Sequence, residues 1–136
     1  MIKSVLVIDQ FDESTNQDNN IICWRSYQKG MRVTSLPAYL EEHAERLRDK
    51  YLSFIHELGE TVVNGKSLVE HMKVSGDFSF WWMSHLAEKS PFKSPRLYDC
   101  LRMLALEEVL SKKKPSHLYL ISSDKLVTKS ISNLCK

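Results

Sequence analysis

The sequence has 136 residues, of which 43% are hydrophobic and 26% charged, a composition typical of ordinary globular proteins that excludes collagen-like, mucin-like and wholly disordered chains. The net charge is +2, but residues 1–88 have 9 basic against 13 acidic side chains, and residues 89–136 have 10 against 4. The basic second part would suit an anionic ligand, an acidic partner or an anionic membrane surface, or it is simply a lysine-coated surface.

The first predicted elements are two strands. Ser4–Ile8 is a run of apolar, mostly β-branched residues that ends at Asp9, as in a strand buried on both faces of a parallel sheet. Residues 12–20 are almost all polar and predict a loop. A second strand is predicted over Ile21–Tyr27, and Gly30 follows its end.

A long helix is predicted after Ser35, with Pro37 in its first turn. Apolar residues recur at spacings of three and four along it and form one stripe, namely Leu40, Ala44, Leu47, Tyr51, Phe54, Ile55 and Leu58. Gly59 is predicted to be the C-cap that ends this helix.

The next segment is predicted to be irregular. Residues 61–63 are a short strand or an extended connection, and Asn64-Gly65 indicates a turn. Residues 67–73 have room for about two helical turns, and Gly76-Asp77 breaks the chain again. A short aromatic helix is then predicted from Ser79 to about Glu88.

The last elements are a helix, a strand and a helix. Ser94-Pro95 predicts a helix start, and His117–Ile121 predicts a second buried strand. Residues 122–124 form a turn that caps the final helix. Strands separated by helices predict an α/β fold, and specifically a three-layer Rossmann-like lobe with a small mostly parallel sheet of three or four strands flanked by helices. We expect residues 1–136 to form a single domain.

Two places in this fold are candidates for a binding site, because ligands of open parallel sheets lie beyond the carboxyl ends of the strands. Asp9 offers a carboxylate there, although it is equally a turn residue. Residues 122–124 offer hydroxyl groups and a helix N-terminus able to hold an anion, although Asp124 is more simply a helix cap. The sequence has no GxGxxG, P-loop or HExxH motif and no metal-ligand spacing of histidines, so we expect no cofactor and no metal.

The aromatic segment is the densest group of chemically useful side chains. One face of its predicted helix would carry an aromatic ring, a hydroxyl, an imidazole and a carboxylate, from Trp81, Ser84, His85 and Glu88. Such a mixture suits a sugar, since rings stack on its apolar faces while polar groups fix its hydroxyls. The alternative is a tryptophan-rich core helix with no ligand.

The same segment resembles a known family. The sequences SFWWMS (79–84), EKSPFKSP (88–95) and LALE (104–107) are similar to those of bacterial surface-carbohydrate biosynthesis proteins of the O-antigen and capsule pathways. Members of this family look like glycosyltransferases of the two-lobed GT-B type. The resemblance implies that this chain is the N-terminal, acceptor-side lobe of a longer protein, inactive alone, with the nucleotide-sugar donor bound in a C-terminal lobe that this chain lacks.

The resemblance also implies roles for individual residues. Glu88 is the predicted general base that activates an acceptor hydroxyl, and Asp77 is the second candidate for that role. The substrate-binding residues implied by the resemblance are Trp81, Trp82, Ser84, Lys89, Ser90 and Ser94, and Asp9 is added to them from its place at the end of a strand. The partner is a carbohydrate acceptor, free or lipid-linked, and we expect no nucleic acid.

Localisation and the alternative function complete the expectations. No apolar run has the roughly 20 residues that span a bilayer, and none forms a signal peptide. The three cysteines form no CxxC pair, so we expect a cytoplasmic protein with reduced thiols. It is either free or peripheral to the inner membrane. The alternative function is a stand-alone α/β binding or scaffolding module that forms homo-oligomers in the same pathway.

Overall fold

A computed structural model describes residues 3–14, 20–28, 30–88, 90 and 92–136, except for the side chain of Glu88. The chain divides into two compact units, a first unit of residues 1–44 with 102–136 and a second unit of residues 45–101. The prediction of a single domain over residues 1–136 stays a prediction.

The described residues form eight strands, six α-helices and one 3₁₀ helix. The strands are β1 (Ser4–Ile8), β2 (Asn20–Cys23), β3 (Val33–Ser35), β4 (Val62–Val63), β5 (Lys66–Ser67), β6 (Lys73–Ser75), β7 (Phe78–Ser79) and β8 (His117–Ile121). The helices are α1 (Leu36–Glu42), α2 (Ala44–Glu60), α3 (Leu68–His71), α4 (His85–Glu88), α5 (Leu97–Lys113) and α6 (Lys125–Leu134), with a 3₁₀ helix at Phe80–Met83.

The first unit is built on a parallel sheet. In the described residues this sheet has four strands in the order β3-β2-β1-β8, and each neighbouring pair is parallel. The predicted α/β class and Rossmann-like lobe with flanking helices are therefore confirmed. The chain runs outward from β1 through β2 to β3 and then crosses to β8 on the other side of β1. The position between β1 and β8 is thus the topological switch point of the sheet.

The composition of β1 explains its central place. Val5 and Val7 on one face are fully buried, and Ile8 on the opposite face is nearly so. Ile8 belongs to a core cluster with Ile21 and Cys23 of β2, on which Leu6, Phe11 and Val33 also pack. A strand apolar on both faces is stable only between two layers, as predicted for Ser4–Ile8.

β8 lies where predicted, but it is not a buried strand. Tyr119 is 59% exposed and Ile121 is 66% exposed, while Leu118 and Leu120 are half-buried. The reason is that β8 forms the border of the described sheet. Parallel register places Leu6 beside Tyr119 and Ile8 beside Ile121, so one face is buried at β1 and open to solvent at β8.

The second strand is shorter than predicted, and a further strand follows it. β2 ends at Cys23, four residues before the predicted end, and the short strand β3 was not predicted. The chain beyond β2 stays close to β1, because the amide groups of Trp24 and Arg25 donate to the carbonyls of Ile8 and Asp9. Three residues of β3 are too few for a periodic pattern.

The predicted long helix is two helices. The first, α1, begins directly after Ser35 as predicted, and Ser35 caps it, since its Oγ accepts from the amide of Ala38. The helix stops at His43, whose backbone leaves the helical region, and α2 begins at Ala44. Gly59 is not a C-cap, because it lies inside α2 and is buried. A Cβ at this position would lie 2.9 Å from Nε1 of Trp81, so the glycine is required by the close approach of the indole.

Two hairpins and a short helix follow α2 in the second unit. Asn64 and Gly65 have positive φ and form the predicted turn between β4 and β5. Ser67 and Glu70 form a capping box on α3, which spans one turn instead of the two predicted. Gly76, also with positive φ, lies in the turn between β6 and β7.

The predicted aromatic helix from Ser79 to Glu88 is interrupted. The 3₁₀ helix ends at Ser84, which has an extended backbone with ψ of 150°, and α4 starts afresh at His85. Ser84 ends one helix with its amide, which donates to the Trp81 carbonyl, and begins the next with its Oγ, which accepts from the Ala87 amide. The spacing that would place Trp81, Ser84 and His85 on one helical face is therefore lost.

The remaining elements agree with the sequence more closely. α5 begins at Leu97 rather than at Pro95, and the Ser94 carbonyl accepts from the Leu97 amide. Asp124 caps α6 as predicted. The three cysteines are free thiols. None of the helices in the described ranges has the length and apolarity needed to cross a bilayer.

The contact between Gly59 and Trp81 yields a stability prediction. Ala in place of Gly inside a helix ordinarily adds about 1 kcal/mol of stability. Here the new methyl group would also lie 3.0 Å from Val69 Cγ2, and overpacking costs about 1–3 kcal/mol. We expect the two effects together to lower the free energy of unfolding of Gly59→Ala by up to about 2 kcal/mol, measured by urea denaturation. Ser53→Ala, at an exposed position of α2, is the control; a stabilised Gly59→Ala would contradict the prediction.

Candidate functional site

A pocket lies at the carboxyl edge of the sheet in the first unit, at the switch point between β1 and β8. Its volume is about 570 Å³, within the usual range for small-molecule sites. Its lining residues come from the ends of these two strands and the segments after them, namely Leu6, Ile8, Asp9, Gln10, Asp12, Ser14, Ile121, Ser122 and Ser123. The sheet topology alone brings these two segments of the chain together.

Asp9 is the central polar residue of this pocket. Its Oδ2 accepts from Ser122 Oγ at 3.0 Å and from the backbone amide of Ser123 at 3.1 Å. Its Oδ1 is buried and has no hydrogen-bond partner among the described residues. The two donors fix the carboxylate at the end of β1 and leave unused acceptor capacity on the side chain.

The turn that lines the pocket beside Asp9 is anchored to the start of α6. Asp124 Oδ1 accepts from the amides of Leu126 and Val127, and Ser122 Oγ accepts from the Asp124 amide. Asp124 Oδ2 lies 3.4 Å from a guanidinium nitrogen of Arg25, which follows β2. Hydrogen bonds thus join the carboxyl ends of β1, β2 and β8.

The pocket has an apolar floor and a polar rim. Leu6, Ile8 and Ile121 come from one face of the sheet, which continues to the exposed ring of Tyr119. The rim includes Asp12, whose pKa is lowered chiefly because the Ser14 amide donates to its carboxylate. This arrangement can hold a small molecule with an apolar face and several hydroxyl groups.

The sequence-predicted site residues occupy several parts of the structure. Asp9 lines the pocket. Asp77 is exposed at the tip of the β6–β7 hairpin, in the second unit. Glu88 is the last residue of α4, and its side chain lies outside the described part, as does the whole of Lys89. Both catalytic assignments stay predictions.

The two adjacent tryptophans differ in environment. Trp81 is 4% exposed and packs against Gly59, and its Nε1 has no hydrogen-bond partner in the described residues. Trp82 is 58% exposed. Ser84 links the two short helices. Ser90 and Ser94 are half-buried, and the Ser90 carbonyl accepts from the Ser94 amide.

Sequence reasoning missed part of the pocket. Asp12 and Ser14 belong to a segment that the sequence predicts only as a loop. Ser122 and Asp9 are separated by 113 positions, and no local pattern shows that they meet. The one available signal was that both directly follow strands of a parallel sheet.

In the described ranges, no cluster of three His, Cys, Asp or Glu side chains could hold a metal ion.

Comparisons of the chain with protein-family models, with curated proteins and with solved structures found no match.

The hydrogen bonds by which Asp124 caps α6 can be tested by mutation. Asp124→Ala removes both hydrogen bonds to the first turn, and we expect a loss of about 1–2 kcal/mol in the free energy of unfolding. Asp124→Asn keeps a capping oxygen and loses only the charge, so its loss should be less than half as large, since the Arg25 pair is partly exposed. Urea denaturation measures both, with Lys129→Ala on exposed α6 surface as control. Equal losses in the two Asp124 variants would show that the cap does not stabilise α6.

Proposed function

We propose that this chain is the acceptor-side lobe of a glycosyltransferase in bacterial surface-polysaccharide biosynthesis, and that its switch-point pocket binds the acceptor carbohydrate. The observation that carries the proposal is the Asp9 carboxylate, held by Ser122 and Ser123 at the rim of a pocket with an apolar floor. A sugar has the matching chemistry, because carboxylates accept hydroxyl hydrogens and apolar surfaces cover the C–H faces of the ring.

The fold supports the proposal. Two-lobed transferases of the GT-B type are built from Rossmann-like lobes, and the first unit has a parallel sheet of that kind. In this proposal the donor nucleotide binds in another lobe, and the chain alone binds acceptor without turning it over. The resemblance of residues 79–95 to surface-carbohydrate proteins supplies the pathway.

The resemblance supplies the remaining proposed residues. The exposed ring of Trp82 is available to stack on a sugar face. Transfer to an acceptor hydroxyl requires a base that removes its proton. Glu88 is the proposed base and Asp77 the second choice; Ser84, Lys89, Ser90 and Ser94 remain proposed contributors to the acceptor side.

Binding of neutral saccharides tests the proposal. We expect saturation-transfer NMR with a panel of neutral mono- and disaccharides to detect at least one ligand of the 136-residue chain. Asp9→Asn should weaken that ligand about tenfold, because a neutral amide oxygen replaces the charged acceptor. Asp49→Asn, an exposed aspartate of α2, is the matched control and should leave the affinity unchanged. Absence of any saccharide ligand, or full affinity in Asp9→Asn, would contradict the proposal.

The second candidate is a stand-alone module that forms homo-oligomers in the same pathway. It is favoured by the exposed apolar side chains of Tyr119 and Ile121 on the border strand β8. Natural sheets avoid such uncovered borders unless a partner pairs with them.

Sedimentation velocity distinguishes the second candidate from the first. The module predicts a dimer at micromolar concentration that the double variant Tyr119→Lys with Ile121→Lys converts to a monomer. The acceptor lobe predicts that the wild-type chain and this variant sediment alike. Phe92→Lys, at an exposed position of the second unit, controls for loss of surface apolarity alone.

A further inference from the structure

The pocket lies where a Rossmann-like fold usually holds a phosphate group. In such folds the donors are backbone amides at the N-terminus of a helix that follows a strand, and a glycine-rich turn lets the phosphate approach. Here the corresponding donors belong to the segment from Ser122 to Val127, between β8 and the first turn of α6.

Carboxylates of this chain already occupy these donors. Asp9 Oδ2 accepts from Ser122 Oγ and from the Ser123 amide. Asp124 Oδ1 accepts from the amides of Leu126 and Val127. The Asp124 amide donates to Ser122 Oγ. An incoming phosphate would have to displace a carboxylate that is covalently part of the protein and therefore present at very high effective concentration.

The charge of the lining opposes an anion as well. In the part of the chain that the structure describes, the charged residues that line the pocket are Asp9 and Asp12. The nearby cation Arg25 is paired with Asp124. Two carboxylates facing the same small volume repel a phosphate and favour a neutral ligand.

We infer that Asp9 is a built-in substitute for a ligand phosphate, so that the switch-point pocket accepts uncharged polyhydroxy molecules and rejects phosphorylated ones. The assignment of a carbohydrate rests on the proposed function, whereas the exclusion of phosphate follows from the contacts of Asp9. In the proposed transferase, this pocket would hold a neutral part of the acceptor and exclude the diphosphate of the donor.

Removal of the Asp9 carboxylate should create a phosphate site. We expect inorganic phosphate, added to the isotope-labelled chain at low ionic strength, to give no saturable shift of the Ser123 amide NMR signal in the wild type. In Asp9→Ala the Ser122 and Ser123 donors are free, and phosphate should bind at least about tenfold more tightly than to the wild type. The shifts should centre on these two residues.

Two further variants distinguish two causes of phosphate exclusion, namely the occupied hydrogen-bond donors and the negative charge of the lining. Asp12→Ala removes one negative charge from the same lining but leaves Asp9 on its donors, so phosphate should still give no saturable shift of the Ser123 amide signal. Asp9→Asn keeps an oxygen on the donors and should gain less than Asp9→Ala. Asp9→Ser is used if the dispersion of the amide spectrum shows that Asp9→Ala does not fold.

The outcomes that would overturn the inference are specific. Saturable phosphate binding at Ser123 in the wild type would show that Asp9 does not occupy the site. Equal gains in the variants at positions 9 and 12 would show that charge alone decides. A failure of every saccharide to bind would remove the proposed function and leave the phosphate results unchanged, so the two failures are distinguishable.

Discussion

The parallel pairing of β1 with β8 is the contact on which the candidate site depends. It sets Ile8 beside Ile121 and thereby places Asp9 next to the turn that follows β8. Asp9 then accepts hydrogen bonds from Ser122 and Ser123. These hydrogen bonds hold together the ends of two strands that are more than 100 positions apart in the chain. Because the strand order reverses at this pair, a pocket opens there.

Features with a local physical cause could be predicted from the sequence of the first unit. The strand Ser4–Ile8 and the cap at Asp124 depend on a few adjacent residues, and both were predicted at their positions. The exposure of β8 could not be predicted, because it depends on which strand or helix lies beside it. Asp9 was found as a candidate because it directly follows a strand, whereas Asp12 was assigned only to a loop.

The second unit shows how one sequence signal has two physical causes. Gly59 near the end of an apolar stripe predicts a C-cap, yet the glycine is required because the Trp81 indole leaves no room for a Cβ. Likewise, helical spacing predicts a common face for Trp81 and Ser84, but the extended backbone of Ser84 separates the two short helices. At Gly59 and at Ser84, local propensity is compatible with both structures. Only packing against residues distant in the sequence decides which one forms.

The separation of β1 from β8 also affects how the protein is made. β2 and β3 leave the ribosome soon after β1, whereas β8 follows β3 by about 80 residues, or roughly 4–16 s at ordinary rates of translation. During this interval the apolar strand Ser4–Ile8 has one unpaired edge, at which a neighbouring nascent chain could pair. The polar segment after β1 and the acidic first part of the sequence, which make nascent chains repel one another, are therefore useful to the chain before it has folded.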